Sequence, residues 1–348
     1  MIKVEIVADS INQQNDRLTS MVLTYPRIIH SEMMTHRMFS RNASSSRAVP
    51  VDKMIKAVRE NTFCPFEFQK SHKGMQGSEY FTGADRQECI NLWLESAELA
   101  LQQAEKMKAK GISKQIINRI LEPYQYYTVL ITGSREGWNN FFELRCPSYL
   151  YDYEDNPIYF KSKKEWGDYY NESQGYKENN PNFMKVESFT DLEWLQINKG
   201  QAEIHMMMLS EKIYDAIQES VPIQLKSNEW HIPMISDSES LRLSIDDQIK
   251  LSVVRAANTS YTVIGDGKEL TLEHAIKIHD KCVELVHSSV FEHCARAMSD
   301  EEYYNFVKGV TLEYNKGNRV FSDSSFGWCG PYQGFMSYRY FIDNKLKI

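Results

Sequence analysis

The sequence predicts an α/β protein of the α+β kind, with strands and helices interspersed along the chain. Three observations lead there. Residues 2–8 and 18–25 alternate in polarity and are rich in β-branched side chains, the pattern of half-buried strands. Residues 84–110 carry Ile90, Leu94, Ala97, Leu101 and Ala104 on one helical face, and Gly111 is placed as a C-cap. Residues 201–218 repeat that pattern with Ile204, Met208, Leu209, Ile213 and Ile217 facing inward. There is no internal repeat, no low-complexity tract and no dinucleotide-binding glycine fingerprint.

The remaining elements follow in order. Ile28, Ile29, Met33 and Met34 recur at helical spacing, so a helix is expected from about Pro26. The polar stretch 35–47 then forms the end of that helix and a loop, closed by Pro50, which biases Val49 away from helix. Residues 52–60 read as a short helix and 61–76 as irregular. In the run 71–76, His72 and Lys73 suit either an anion contact or a solvated turn. A helix over 113–121 carries Arg119 and stops before Pro123. Residues 126–132 read as a strand, and 138–145 as a helix with Asn140 and Arg145 on nearby turns.

Residues 146–199 are rich in Tyr, Asn, Asp, Lys and Gly, with few aliphatics. Such a segment reads as an insertion, a lid or an interface arm. Beyond the 201–218 helix, where Met206, Met207 and Met208 are expected to pack, residues 219–248 form a connection containing Trp230 and His231. Residues 251–257 are small and apolar, 270–286 form another amphipathic helix, and 287–298 a turn and short strand. The tail from Phe326 is aromatic and glycine-rich.

Composition narrows the class. With 348 residues, 42% hydrophobic and 25% charged, the chain is an ordinary globular protein of one large domain or two smaller ones. A net charge of -7 gives no basic field for nucleic acid, so any anion site must be local. The six cysteines, at 64, 89, 146, 282, 294 and 329, contain no Cys-x-x-Cys pair, which speaks against zinc. They fit reduced thiols in a cytoplasmic setting. The N-terminus lacks the apolar core of a signal peptide, and no apolar run is long enough to span a bilayer.

Chemistry concentrates in residues 35–47, which hold three arginines, one histidine, four serines and one asparagine. Arginine forks donate in pairs to phosphate, and short Ser and Asn side chains add stiff donors and acceptors. A solvated polar loop would have similar composition. The order His36-Arg37-x-x-Ser40-x-Asn42-x-x-Ser45-x-Arg47 is more specific. It closely resembles the Arg-His-Arg-x-x-Ser-x-Asn-x-x-Ser-x-Arg signature of flavin-dependent thymidylate synthases, matching six of seven positions, with Thr35 in place of the first arginine.

Other segments resemble that family too. Ala256-Ala257-x-x-Ser260 is similar to its Ala-Ala-Arg-x-Ser segment, and His287 to His293 to its His-x-Ser-Pro-Phe-Glu-His segment. Arg119 and Pro123 match its Arg-x-x-Leu-Pro segment, Asn140 to Arg145 its Asn-Phe-x-x-Leu-Arg helix, and Gln201 to Ile204 the start of the following helix. The order differs: the first two segments usually precede the signature and here come last. The resemblance therefore implies a circular permutation, as in larger phage-encoded relatives, with the strand after His293 pairing with the strand leading to Tyr25. The segment 146–199 would be an insertion within one domain of 1–348.

The resemblance implies an antiparallel or mixed sheet with long flanking helices, assembled as a homotetramer whose active sites are shared between subunits. It implies FAD as cofactor, NADPH as reductant, methylenetetrahydrofolate as carbon donor and dUMP as substrate, in host cytoplasm if phage-encoded. Carried over by position, His36, Arg37, Asn42, Asn140, Ser260 and His293 would contact FAD. Glu32, Ser45, Arg47, Arg119 and Arg145 would bind dUMP, with Ser45 and Arg145 closest to the chemistry. Arg145 would sit against a pyrimidine carbonyl and favour the electron-rich ring. Cys146 reads as a bystander unless its pKa is lowered. Thr35, Ala43, Asn258, Val290 and Tyr149 depart from the family pattern, which leaves the donor and product open. Hydroxymethylation of a pyrimidine nucleotide and non-catalytic flavin binding are the alternatives.

Overall fold

A computed structural model describes residues 1–73, 77–153, 156–261, 270–307, 313–315, 318–320 and 326–348. The first strands are β1 (Lys3–Ile11) and β2 (Arg17–Pro26), an antiparallel pair. Their turn is fixed by Asn12, whose Oδ1 accepts the Asp16 N–H at 2.8 Å, and by Asn15, which takes φ +67, a conformation Asn tolerates. Helix α1 (His30–Met33) follows, then β3 (Phe39–Ala43), α2 (Val51–Glu60), α3 (Gly83–Ala109), α4 (Lys114–Ile117), β4 (Tyr126–Ser134) and α5 (Arg135–Arg145). The segment after α5 holds the hairpin β5 (Tyr149–Tyr153) and β6 (Asn156–Phe160), then α6 (Lys163–Ser173) and α7 (Asp191–Ile197). Next come α8 (Ile204–Glu219), β7 (Ile223–Gln224), β8 (Trp230–His231), α9 (Asp237–Ser240), α10 (Ile245–Tyr261), α11 (Leu272–Glu284) and β9 (Ala295–Ala297).

The main sheet has the order β3-β4-β2-β1-β7; only the β1–β7 pair is parallel, so the sheet is mixed. Period-2 alternation gives it two buried faces. Met21, Leu23, Tyr25, Val129 and Ile131 pack one face against Phe141 of α5 and Met206, Leu209 and Ile213 of α8. Gly133 of β4 is required by close approach, because a Cβ there would lie 2.5 Å from the Phe39 ring. A three-stranded sheet joins β8, β9 and Phe335–Ser337, with its own apolar core of Ile249, Val253, Val290, Phe291 and Phe341.

Several expectations change. The helix expected from Pro26 is a 3-10 turn, Arg27–Ile29, and a single α turn. The polar stretch is not a loop throughout: its centre is edge strand β3. Burial of Phe39 against Trp138 and Phe141 and pairing to β4 outweigh its polar composition. Residues 251–257 belong to the 17-residue helix α10. The segment 146–199 has an aromatic core of Tyr149, Tyr151, Phe160, Trp166 and Trp194, which periodicity of aliphatics does not reveal. The strand after His293, β9, pairs with β8 and Phe335–Ser337; β2 is flanked by β1 and β4, so the pairing expected from the permutation is absent. Gly111 does close α3, with φ +77. Residues 74–76 of the 71–76 run lie outside the described residues.

Candidate active site

Helix α5 ends at Arg145, whose guanidinium enters a cluster built by the start of the signature. Its Nε–H donates to His36 Nε2 at 2.9 Å, Nη2 donates to Thr35 Oγ1 at 3.3 Å, and Nη1 faces Glu32 Oε2 at 3.5 Å. Three acceptors therefore engage all three guanidinium nitrogens. Ser210 of α8 donates to the Arg145 carbonyl at 2.6 Å and anchors the backbone below. His36 is buried, with its ring edge-on to Phe141 at 4.9 Å. Burial, then the charges of Arg145 and Arg41, lower its pKa to about 4. It is thus a neutral imidazole, as an acceptor from arginine must be. Burial and the nearby Glu203 carboxylate raise the Glu32 pKa, and Arg145 opposes them.

Strand β3 splits its side chains between two faces. Phe39 and Arg41 face the α5 side, where Arg41 Nη1 donates to the carbonyls of Met34 at 3.0 Å and His36 at 2.9 Å. This single guanidinium closes the end of α1 and holds the backbone that presents Glu32, Thr35 and His36. On the other face, Asn42 donates from Nδ2 to the Ala256 carbonyl of α10 at 3.2 Å. Two segments more than 200 residues apart in sequence are joined there. Beside this contact lies a groove of about 730 Å³, lined by Ser44, Ser45 and Ser46 after β3, Thr24 and Thr128 of the sheet, and Asn258 and Thr259 of α10. Val22, Val49 and Met54 make its apolar part. Its size and mixed lining are those of a small-molecule site.

The other expected residues are placed as follows. Ser45 lines the groove, while Arg47 is exposed in the turn beyond it. Arg119 is exposed on a 3-10 turn, Asn118–Tyr124, packed near the same turn. That turn also holds Glu122, which accepts from Ser46 Oγ at 2.5 Å. Among the described residues no hydrogen bond or ion pair joins Arg47 or Arg119 to Arg145 within one protomer. Arg37 and Asn140 are exposed. Ser260 lies in α10, but its side chain is outside the described residues.

His293 is fully enclosed. Its Nδ1 shares a hydrogen bond with Thr132 Oγ1 at 2.9 Å; Thr132 meets Ser20 at 2.6 Å, and Ser20 meets His231 Nε2 at 2.8 Å. Burial lowers the pKa of His293 to about 3 and of His231 to about 4. This polar chain pins the three-stranded sheet to the main one. Burial pushes the Cys146 thiol up to about 12, so it is a poor nucleophile at neutral pH. Tyr149 donates to Glu211 at 3.2 Å and belongs to the aromatic core of the segment 146–199.

Thr35 and Arg41 were not singled out by composition as parts of the cluster. The signal for Thr35 was its position, flanking the histidine; Arg41 occupies an unspecified place in the signature. Glu203 caps α8 through the N–H groups of His205 and Met206 and holds His205 Nδ1 at 2.6 Å, while His205 Nε2 accepts the Phe66 N–H at 2.9 Å. A capping glutamate two residues before a histidine gives little sequence signal.

No protein-family model matches the sequence, and no curated protein matches it. Among solved structures the chain is similar to a UMP/dUMP methylase, PolB from Streptomyces cacaoi, bound with 5-Br dUMP. The two are 12% identical with a TM-score of 0.38, over 63% of this chain and 91% of that one. The same enzyme bound with 5-Br UMP gives 13% identity and a TM-score of 0.38, over 63% and 89%. Similarity at this level assigns no function. No helix among the described residues is long and apolar enough to cross a membrane.

Proposed function

We propose that the chain is a flavin-dependent enzyme that modifies C5 of dUMP, in the first instance by reductive methylation to dTMP. The observation that carries this reading is the convergence of distant family-like segments. Strand β3 bonds to the Ala-Ala segment of α10 through Asn42, and the turn after β3 shares a groove with Asn258 and Thr259. The start of the same signature holds Arg145 of the Leu-Arg helix.

The groove fits a flavin nucleotide in kind: hydroxyls from Ser44, Thr24, Thr128 and Thr259 over an apolar floor of Val22 and Met54. Bound there, FAD would supply hydride chemistry, with NADPH as its reductant and methylenetetrahydrofolate as carbon donor. The chain's own contribution is orientation and charge. Arg145, held by three acceptors, needs little reorganisation to meet a ring carbonyl whose negative charge grows as C5 becomes nucleophilic. Loss of such a preorganised donor costs ~10²–10³ in rate. No protein thiol takes part in this reading, consistent with the raised Cys146 pKa. Ser45, Arg47 and Arg119 would reach a nucleotide bound mainly by a partner subunit of a homotetramer.

The test is direct. Purified protein is examined for a flavin absorption spectrum, then incubated with dUMP, methylenetetrahydrofolate and NADPH, and the product is weighed by mass spectrometry. A mass gain of one CH2 unit is expected, a methyl group replacing the C5 hydrogen, and Arg145→Ala should abolish it. A hydroxymethyl mass would keep the flavin and substrate but change the product. Protein that binds neither FAD nor dUMP, or an Arg145→Ala variant with near-normal turnover, would overturn the reading.

A further inference from the structure

A second cluster lies at the opposite end of β2 and β4 from the groove, and at the other end of α5 from Arg145. Leu18 of β2 is paired with Ser134 of β4, so the two share one face of the sheet. Leu18 packs in one core with Phe335, so that face is the side of the tail. Asp16 precedes Leu18 by two residues and reaches the same side: a Cβ on Gly334 would lie 2.3 Å from its Oδ2. Glu136 follows Ser134 by two residues, and its charge acts on Asp16. Burial, then Asp16, with Glu136 behind it, raise the Tyr303 phenol, so the three groups converge. Ser134 is fully buried, and its Oγ has no hydrogen-bond partner among the described residues. The same holds for the buried oxygens Glu136 Oε2 and Gln14 Oε1, although Gln14 Nε2 donates to Asp300 at 2.6 Å. Asp16 Oδ2 accepts from Asn12 at 3.1 Å. Burial, then Glu136, raise the Asp16 pKa to about 6, opposed by Asn12 and Arg135.

We infer that Asp16 and Glu136 bind a hard divalent cation of the Mg2+ or Ca2+ kind, with Gln14 Oε1 and Ser134 Oγ contributing to its oxygen shell. Two neighbouring carboxylates in a buried place, beside further oxygens that receive no hydrogen, are costly. A water can donate to these oxygens, but only a cation also removes the repulsion between the carboxylates. Oxygen ligands alone select hard cations over zinc or copper. Among the described residues no three His, Cys, Asp or Glu side chains gather to hold a metal. The shell is therefore two carboxylates, neutral oxygens and water, the kind that holds an exchangeable ion. The ion would tie the turn between β1 and β2 to the start of α5 under the tail. This inference is independent of the flavin and uridylate reading.

The test uses the full chain, stripped with EDTA and titrated with MgCl2, CaCl2 or TbCl3. At about a hundredfold excess over Kd, one bound ion should raise the melting temperature by roughly 4 °C. Tb3+ held beside Tyr303 should emit on excitation of the phenol, and added Ca2+ or Mg2+ should displace it and remove the emission. Asp16→Asn and Glu136→Gln should each weaken binding by roughly tenfold or more. In EDTA each variant should be at least as stable as wild type, because the remaining carboxylate has lost its like-charged neighbour. Tyr303→Phe should keep the melting shift and lose the terbium emission. If neither Mg2+ nor Ca2+ shifts the melting of wild-type protein, water satisfies these oxygens and the inference falls. A shift that survives in the Asp16→Asn, Glu136→Gln double variant, or terbium emission that survives Tyr303→Phe, puts the ion elsewhere and overturns it as well.

Discussion

Replacing His36 by leucine removes the acceptor for the Arg145 Nε–H and leaves packing on Phe141 largely in place. A hydrogen bond to a charged group contributes about 1.5–3 kcal/mol. His36 is buried, so water cannot freely replace it, and a loss of about 2 kcal/mol in urea unfolding is expected. Glutamine can place an oxygen near the Nε2 position, so His36→Gln should recover much of that loss. The pH dependence gives a sharper reading. Folded His36 titrates at about 4 against 6.5 for the free side chain, so between these values the unfolded chain binds more protons. Its contribution to stability is complete above pH 6.5 and is lost as pH falls towards 4, by ~3 kcal/mol at most. His30, His231 and His293 are depressed in the same direction and add to the slope. In His36→Gln the proton uptake on unfolding near pH 5 should fall by about one, while the other three continue to titrate. An unchanged slope, or a His36→Leu variant as stable as wild type, would refute a neutral, structural imidazole under Arg145.

Two further outcomes test neighbouring parts of the site. Cys146→Ala should leave turnover within a few-fold of wild type, because burial keeps the thiol protonated; a loss beyond tenfold would bring the sulfur into the chemistry. Asn42→Ala removes the buried donor to the Ala256 carbonyl, which should cost ~1–3 kcal/mol by denaturation and weaken flavin binding measured by fluorescence titration. Unaltered flavin affinity in that variant would separate the groove from the flavin.

The elements legible in sequence were those with strong periodicity. β2, β4, α3 and α8 lie where alternation or helical spacing placed them, although β2, β4 and α8 are buried on more than one face and Leu94 of the expected α3 stripe is exposed. The signature strand was not legible as a strand. Phe39-Ser40-Arg41-Asn42-Ala43 is polar at three of five positions, and its β conformation comes from pairing with β4, a tertiary fact. The segment 146–199 was hidden for another reason: its core is aromatic, and Tyr149, Trp166 and Trp194 do not follow the aliphatic spacing that marks a helix or strand. The site was legible as residue types but not as a constellation. Arg145 could be named from a local motif, whereas its three acceptors lie more than 100 residues earlier.

Thr35 is the departure from the family signature that the geometry best accounts for. A second guanidinium at that position would face Arg145, and two cations within a few ångströms of each other in a half-buried site repel. A threonine instead supplies a hydroxyl that donates to the Glu32 carbonyl at 2.6 Å and accepts from Arg145 at 3.3 Å. The exchange removes one positive charge and gains an acceptor for Arg145, beside an Arg41 guanidinium taken up by the carbonyls of Met34 and His36. A site arranged this way is less suited to holding a phosphate, which favours several cations, than to reading the edge of a neutral base. Arg47, in the turn after β3, and Arg119, in the 3-10 turn Asn118–Tyr124, are exposed. The signature thus commits Arg41 to backbone carbonyls and leaves Arg37 and Arg47 exposed.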